Sequence, residues 1–369
     1  MEEKIVWISF DIMEKFMSDV FKGLGVPSED ADICANVLIA ADKRGIDSHG
    51  INRMKPIYYD RIKLGTVQFP VTQFEIVRET ATTAVIDGHD GMGHVISKKA
   101  MDMCIDKAKK YGLGMVTVRN SSHYGIAGYY PLMAVDNDMI GITGTNARPS
   151  IPPTFGVENM LGTNPLTFAM PTDEDFPFFL DCATSITQRG KIELYDRIGK
   201  PCPAGWVIGE DGGTKTNSGE ILVELTKGTA ALAPLGGIGE EMGGYKGYGY
   251  ATVVEIMSAA LQAGSYLKML TGKKDGKNVP YHLGHFFIAI DINAFIEPAE
   301  FRKTTGDILR ELRNSKKMPG AERIYTPGEK EYLTWLYRKD KGVPLNEQLQ
   351  KEVKIMQTEM GLTQYNFPF

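Results

Sequence analysis

Apolar residues recur every three or four positions through the first sixty residues, a period that predicts amphipathic helices. Ser9 stands ahead of a stripe of Ile12, Phe16 and Val20 that ends at Gly23 or Gly25, so it is placed to cap a first helix. Pro27-Ser28 opens a second helix, with Ala31, Cys34, Leu38 and Ala41 on its inner face and a stop near Gly45. After the loop Asp47-Ser48-His49-Gly50, a third helix is predicted over 52–63, with Met54, Ile57, Tyr58 and Ile62 inward.

From residue 74 the pattern changes. Short β-rich runs at 74–78 and 83–86 are followed by a helix over 95–110 and a strand over 115–118. That strand leads directly into Arg119-Asn120-Ser121-Ser122-His123-Tyr124-Gly125 and a helix over 127–135. In open α/β sheets such a strand-to-helix loop lies at the carboxyl edge, where ligands bind. Residues 139–245 read as loop-rich, with strands at 140–143, 166–170 and 178–181 between Pro- and Gly-rich connections. Next come Gly243-Gly244-Tyr245-Lys246-Gly247-Tyr248-Gly249 and a long apolar helix to about Gly264. The run 286–292 is nearly all apolar, as a buried central strand requires, and the tail from Ala299 is helical and amphipathic. The expected class is α/β in three parts: a helical domain of 1–75 with 296–369, a sheet domain of 76–122 with 247–295, and an inserted cofactor-binding module of 123–246. The tail is expected to pack on the N-terminal helices, and the strands around 83–118 and 286–292 to share one sheet.

Composition narrows the partners. A chain of 369 residues with 43% hydrophobic and 24% charged residues is long enough for two or three cores and far from a disordered composition. Its net charge of −5, without a long basic block, argues against nucleic acid. Cys34, Cys104, Cys182 and Cys202 are scattered and read as reduced intracellular thiols. Met1-Glu2-Glu3-Lys4 does not begin a signal peptide, and no apolar run reaches the ~18 residues of a membrane span, so a cytoplasmic location is expected. Asn120-Ser121-Ser122 is then an accidental glycosylation match.

His123 is the sharpest candidate for chemistry, since an imidazole at a strand's carboxyl end can reach a ligand and titrate near neutrality. The alternative is a loop histidine that caps the next helix. Asp47-Ser48-His49-Gly50 with Arg53 offers a hydroxyl, an imidazole and a planar guanidinium that can grip a carboxylate; otherwise Asp47 or Ser48 caps a helix and Arg53 is solvated. The glycine run around Lys246 either admits a phosphate or is a turn before a helix. Gly162-Thr163-Asn164-Pro165 and Asp181-Cys182-Ala183-Thr184 are likewise either turns or cleft lining. No Rossmann fingerprint is present, because Met242 follows Gly237-Ile238-Gly239 and Ile96 follows Gly91-Met92-Gly93 where a glycine is needed. No metal site is expected: His282 and His285 lack a carboxylate or cysteine partner in sequence, and His89 and His94 read as loop residues.

Taken in order, Asp47-Ser48-His49-Gly50 with Arg53, Arg119 to His123, Gly162-Thr163-Asn164-Pro165-Leu166, Leu180-Asp181-Cys182-Ala183-Thr184 and Gly244-Tyr245-Lys246-Gly247-Tyr248-Gly249 resemble the second malate/L-lactate dehydrogenase family. This non-Rossmann family also holds ureidoglycolate and sulfolactate dehydrogenases and a diketogulonate reductase, and the resemblance spans about residues 10–330. It implies a mixed-sheet α/β fold, a homodimer, and NAD or NADP as cofactor, with NAD favoured. It places His123, Ser48 and His49 at the catalytic centre and Arg53 and Arg148 on the substrate. It places Asn146, Ala147, Asp181, Cys182, Ala183, Lys246 and Arg310-Glu311-Leu312 on the cofactor. The pattern departs at Ala147, where the ureidoglycolate-type member has serine. The activity so implied is hydride transfer between nicotinamide and a small 2-hydroxy or 2-keto acid, with His123 moving the hydroxyl proton. Malate is favoured, because Arg53, Arg148 and nearby polar groups can receive a second carboxylate. The alternatives are lactate, sulfolactate, ureidoglycolate, or reduction of a keto or cyclic imino acid. From another class, Ser48-His49 and Ser122-His123 suggest a hydrolase, against which stands the lack of a G-x-S-x-G elbow.

Overall fold

The computed structural model describes residues 5–369; the reading of Met1-Glu2-Glu3-Lys4 lies outside the described residues. The described chain opens on a short strand, β1 (Val6–Ile8), and then builds one large sheet from later segments. Its members are β2 (Glu75–Glu79), β3 (Thr83–Asp87), β4 (Leu113–Ser121), β5 (Met139–Thr145), β6 (Leu166–Met170) and β7 (Phe178–Cys182). A small sheet of β8 (Val207–Gly209), β9 (Thr214–Lys215) and β10 (Ala230–Leu232) follows, then the hairpin β11 (Lys273–Lys274) and β12 (Lys277–Asn278). Finally β13 (Leu283–Asp291) enters the centre of the large sheet, whose order is β2-β3-β4-β13-β5-β6-β7.

Only β3 and β4 pair in parallel; every other pairing in this sheet is antiparallel. The fold is thus a mixed-sheet α/β architecture, unlike the parallel Rossmann sheet. Because β13 opposes both β4 and β5, and β6 opposes both β5 and β7, four strands share one direction. Their carboxyl ends, at Asp87, Ser121, Thr145 and Cys182, therefore collect along one edge. β13 is buried on both faces, as its apolar sequence requires. Phe287 and Ala289 join the core beneath the helix Gly93–Tyr111, while a Cβ on Gly284 would stand 1.7 Å from the Ser258 carbonyl oxygen on the helix Gly244–Ala259.

A second core joins the two chain ends. Met13, Phe16, Phe21 and Leu38 pack with Val343, Leu345, Leu349, Val353 and Met356, and β1 pairs with β14 (Val343–Leu345). The helix Pro298–Asn314 departs from the expected packing of the tail: Arg302 carbonyl oxygen accepts from Asp173 N–H at 3.2 Å, and Arg310 is ion-paired to Asp173 and Glu174. A third core, including Ile151, Leu161, Ile192, Val207 and Ile221, lies within the stretch read as loop-rich. Two helices there, Arg189–Arg197 and Ser218–Lys227, had no predicted counterpart, whereas β5, β6 and β7 belong to the central sheet.

Local detail corrects the pattern in three places. Ile12 is 48% exposed, because Met13 rather than Ile12 takes the inner position of the helix Phe10–Gly23. Ser9 stands at its N-cap without a side-chain cap bond. The predicted third helix divides into Ile51–Arg53, a π-helical turn Met54–Tyr59 and Asp60–Leu64. Pro56 has no N–H to give to the α-helical ladder, and a π turn accommodates that loss within a helix. The four cysteines are unpaired, and among the described residues no helix is long and apolar enough to cross a membrane.

Phe287 is fully buried between sheet and helix. Phe287→Ala is expected to cost about 3–5 kcal/mol in urea unfolding with an unchanged slope. A loss below about 1 kcal/mol would contradict the packing described.

Candidate active site

The edge where four strands end needs polar closure, because every strand there turns into a loop with backbone groups to satisfy. Behind β4, the Asp87 carboxylate accepts from Arg119 Nε at 2.8 Å and from Asn120 Nδ2 at 2.9 and 3.1 Å, which fixes the loop start. Ser122 is buried, its hydroxyl donating to Gly91 carbonyl at 2.8 Å and accepting from Gly93 N–H at 2.9 Å. His123 follows with its ring turned toward a cleft of about 290 Å3.

Loops at the strand ends and a segment of the helical layer line that cleft. From the helical layer come Ser48, His49, Arg53 and Ile57; from the strand ends come His123, Thr145, Asn146, Ala147, Asp181, Cys182 and Ala183. Thr163 and Pro165 add a wall, and Gln188, Arg189 and Gly190 cover it from the third core. The Asp47 to Gly50 loop is held from beneath. The buried Asp42 carboxylate accepts from Ile51 N–H at 3.1 Å, so Asp42, not Asp47 or Ser48, serves the helix start. Gly50 has φ +65°, and a Cβ there would lie 2.2 Å from Asp42 Oδ1. Arg338, from the C-terminal region, grips Asp47 with both terminal nitrogens at 2.7 and 2.8 Å.

His123 Nδ1 is 2.5 Å from the Tyr58 hydroxyl and accepts from Gly125 N–H at 3.2 Å. A backbone N–H can only donate, so Nδ1 carries the lone pair in the neutral ring and the proton sits on Nε2. Burial, with His49, Arg61, His94 and Arg53 nearby, holds His123 well below its ordinary value of 6.5. Burial next to Arg53 pushes His49 down to about 4. Its Nδ1 is 2.9 Å from Ser48 Oγ, and its ring stacks 5.7 Å from that of His123. Arg53 donates from Nε to Ser48 carbonyl at 2.6 Å.

Several polar residues shape the cleft and have little left to offer a ligand. Asn146 donates to Ser265 carbonyl at 3.1 Å and accepts from Gly284 N–H at 2.8 Å, so its fully buried side chain is a brace. Asn164 reaches Glu255 at 2.8 Å and accepts from Ala147 N–H at 3.2 Å. Asp181 accepts from Gly128 N–H at 2.8 Å and Thr167 hydroxyl at 3.1 Å; it, rather than His123, serves the start of the next helix.

Other expected residues lie elsewhere. Arg148 is exposed and outside the cleft lining. Lys246 is exposed over the ring of Tyr245, and the glycines around it answer to a close turn: a Cβ on Gly244 would stand 2.0 Å from Gly237 carbonyl oxygen. Arg310 is engaged by Asp173, Glu174 and Asp307, and neither exposed Glu311 nor Leu312 lines the cleft. His94 lies in the helix Gly93–Tyr111 rather than a loop, fully buried. His282 does meet a carboxylate, Asp90 at 2.9 Å, and His285 meets Thr145 at 2.7 Å. Sequence reasoning missed Thr145, Gln188 and Arg189, and placed Tyr58 in the core without its hydroxyl's partner. No spacing signal marks such residues, since the fold alone brings them to His123.

A family model described as malate/L-lactate dehydrogenase matches residues 8–354. The chain belongs to that family. As a member, it is a hydroxyacid dehydrogenase that uses a nicotinamide cofactor. The malate/L-lactate dehydrogenase relatives include a malate dehydrogenase of Pyrococcus horikoshii, 42% identical across 98% of this chain and 97% of that one. An L-sulfolactate dehydrogenase of Methanocaldococcus jannaschii is 38% identical across 95% and 96%. The crystal structure of malate dehydrogenase from Entamoeba histolytica superposes with a TM-score of 0.94 at 45% identity, covering 99% of this chain and 100% of that one. In this family setting the hydrolase alternative loses its footing: Ser122 is buried, and among the described residues no carboxylate is hydrogen-bonded to His49.

Two expectations test the geometry. The Tyr58 hydroxyl can turn to accept the extra Nδ1 proton of a charged ring, so Tyr58→Phe should lower kcat about 10- to 100-fold and shift its pH profile. An unchanged profile would remove that role. His94, pushed down to about 3 by burial, stays neutral in the fold while the unfolded chain protonates it below 6.5. Its contribution is therefore lost as pH falls, and His94→Phe should gain on wild type by about 1.4 kcal/mol per pH unit between roughly 6 and 4 in urea unfolding. Parallel pH slopes would contradict a buried neutral ring.

Proposed function

We propose that the protein interconverts malate and oxaloacetate with NAD, and that His123 is its proton-transfer residue. One observation carries this reading: an imidazole whose Nδ1 is held by Tyr58 and Gly125 shares a cleft with the Arg53 guanidinium and the small residues Ala147, Cys182 and Ala183. Arg53 binds the 2-hydroxy carboxylate in two parallel hydrogen bonds, and Ser48 and His49 bound the same end of the substrate. Ala147, Cys182 and Ala183 would leave room for a flat nicotinamide ring, which would exchange a hydride with the substrate C2.

In the reducing direction the charged His123 ring gives its Nε2 proton to the substrate carbonyl oxygen and keeps its Nδ1 proton on the Tyr58 hydroxyl; in the oxidising direction Nε2 of that Nδ1-protonated neutral ring takes the hydroxyl proton. The anionic substrate offsets the cationic neighbours of His123 and so favours the charged ring that donates. His49 remains neutral at physiological pH and adds no competing charge. Gln188 and Gly190 help to exclude water.

The cleft of about 290 Å3 accommodates the reacting groups but not a whole dinucleotide. We assign the adenosine end to the neighbouring cavity of about 420 Å3, where Arg44, Phe179, Gly328 and Trp335 meet. Asp136, Asp175 and Glu331 also line it and outnumber Lys43 and Arg44, a balance that opposes the extra phosphate of NADP and favours NAD. The names of the relatives support malate, with sulfolactate as the nearest alternative. A cytoplasmic homodimer fits the unpaired cysteines and the exposed Tyr250, Val253 and Ile256 on the helix Gly244–Ala259.

His123→Ala is expected to lower kcat about 10²–10⁴-fold while cofactor binding, read by nucleotide fluorescence, persists. Wild-type assays on malate, lactate, sulfolactate and ureidoglycolate with both cofactors rank the substrates. Near-normal turnover by His123→Ala would sink the assignment.

A further inference from the structure

We propose that Arg189 makes this site select doubly negative substrates, by receiving the second anionic group of the acid whose 2-hydroxy carboxylate Arg53 holds. The assignment rests on the cleft being a 2-hydroxy acid site, and it names a residue that sequence spacing did not single out.

Arg53 and Arg189 both line the cleft and arrive from different parts of the fold. Arg53 belongs to the helical layer, while Arg189 opens the helix Arg189–Arg197, whose Ile192 is buried in the third core. Gly190 measures how closely the two approach. A Cβ at Gly190 would stand 3.7 Å from Arg53 Nη2 and 3.9 Å from Ser48 Cβ. The start of this helix thus lies over the Arg53 and Ser48 end of the cleft.

The hydrogen bonds of both residues leave room for anions. Arg53 donates from Nε to a neutral carbonyl. Arg189 is ion-paired through Nε to Glu193 at 3.1 Å, and its Nη1 donates to the Thr226 hydroxyl at 3.1 Å. Neither contact uses its Nη2. Two guanidinium groups lining one small cleft, that of Arg189 partly balanced by Glu193, favour a substrate with an anion at each end. Lactate ends in a methyl group where malate carries a carboxymethyl and sulfolactate a sulfomethyl group, so it offers an anion to one guanidinium alone. Arg148, the residue expected to take a second carboxylate, is exposed and does not line the cleft. Arg189 keeps 43% of its side chain exposed, which limits the preference through solvent screening.

The test compares kcat/KM for malate, sulfolactate and lactate in wild type, Arg189→Met and Arg189→Lys. Arg189→Met should lower the two dianions about 10- to 100-fold and leave lactate within about threefold, so that the malate-to-lactate ratio collapses. Arg189→Lys keeps the charge but not the planar fork, and should retain part of that ratio. Equal losses on malate and lactate, or no loss on malate, would overturn the assignment. Wild-type turnover of none of these acids would instead overturn the reading of the cleft itself, and the assignment with it.

Discussion

The hydrogen bond between the Tyr58 hydroxyl and His123 Nδ1 joins two layers of the molecule that have separate cores. Tyr58 comes from the helical layer, where it is fully buried beside Phe21 and His94. His123 comes from the loop after β4, at the edge of the sheet. Unless both layers are in register, the imidazole loses one of its two Nδ1 partners and with it the orientation of Nε2 toward the cleft. The π-helical turn around Pro56 therefore has a functional location: it carries Tyr58 to that contact.

Much of the polar chemistry around the cleft is structural support. Asp42, Asn146, Asn164 and Asp181 are each engaged by backbone N–H groups or neighbouring side chains. Such groups hold loops in place where strands end and ordinary ladder bonds run out. The rest of the lining includes the His123 imidazole, the Arg53 guanidinium and the small residues Ala147, Cys182 and Ala183. Preorganisation of this kind lets few residues act with precise placement.

Sheet direction explains why the site is where it is. β4, β5 and β7 reach the same edge because antiparallel β13 and β6 lie between them. Without this mixed topology His123, Asn146-Ala147 and Ala183 would not share one cleft. The rule that ligands gather at strand carboxyl ends was readable from the strand before His123, although the sheet is not a Rossmann sheet. Which other ends would join it was not readable, since pairing partners are distant in sequence and strand patterns are alike.

Periodicity by itself determined most helices and the strands at 83–87, 113–121 and 283–291 to within a few residues, because burial on one face must follow the repeat of each element. The ordered motifs carrying Ser48, Arg53, His123 and Asp181 determined the family, since close backbone turns and a reactive loop leave residue-specific traces. Tertiary structure alone decided that Arg189 enters the cleft, that Arg148, Lys246 and Arg310 stay outside its lining, and that Tyr58 meets the imidazole. Those outcomes depend on how separate cores dock and on which donors the docking consumes. A local sequence pattern encodes neither.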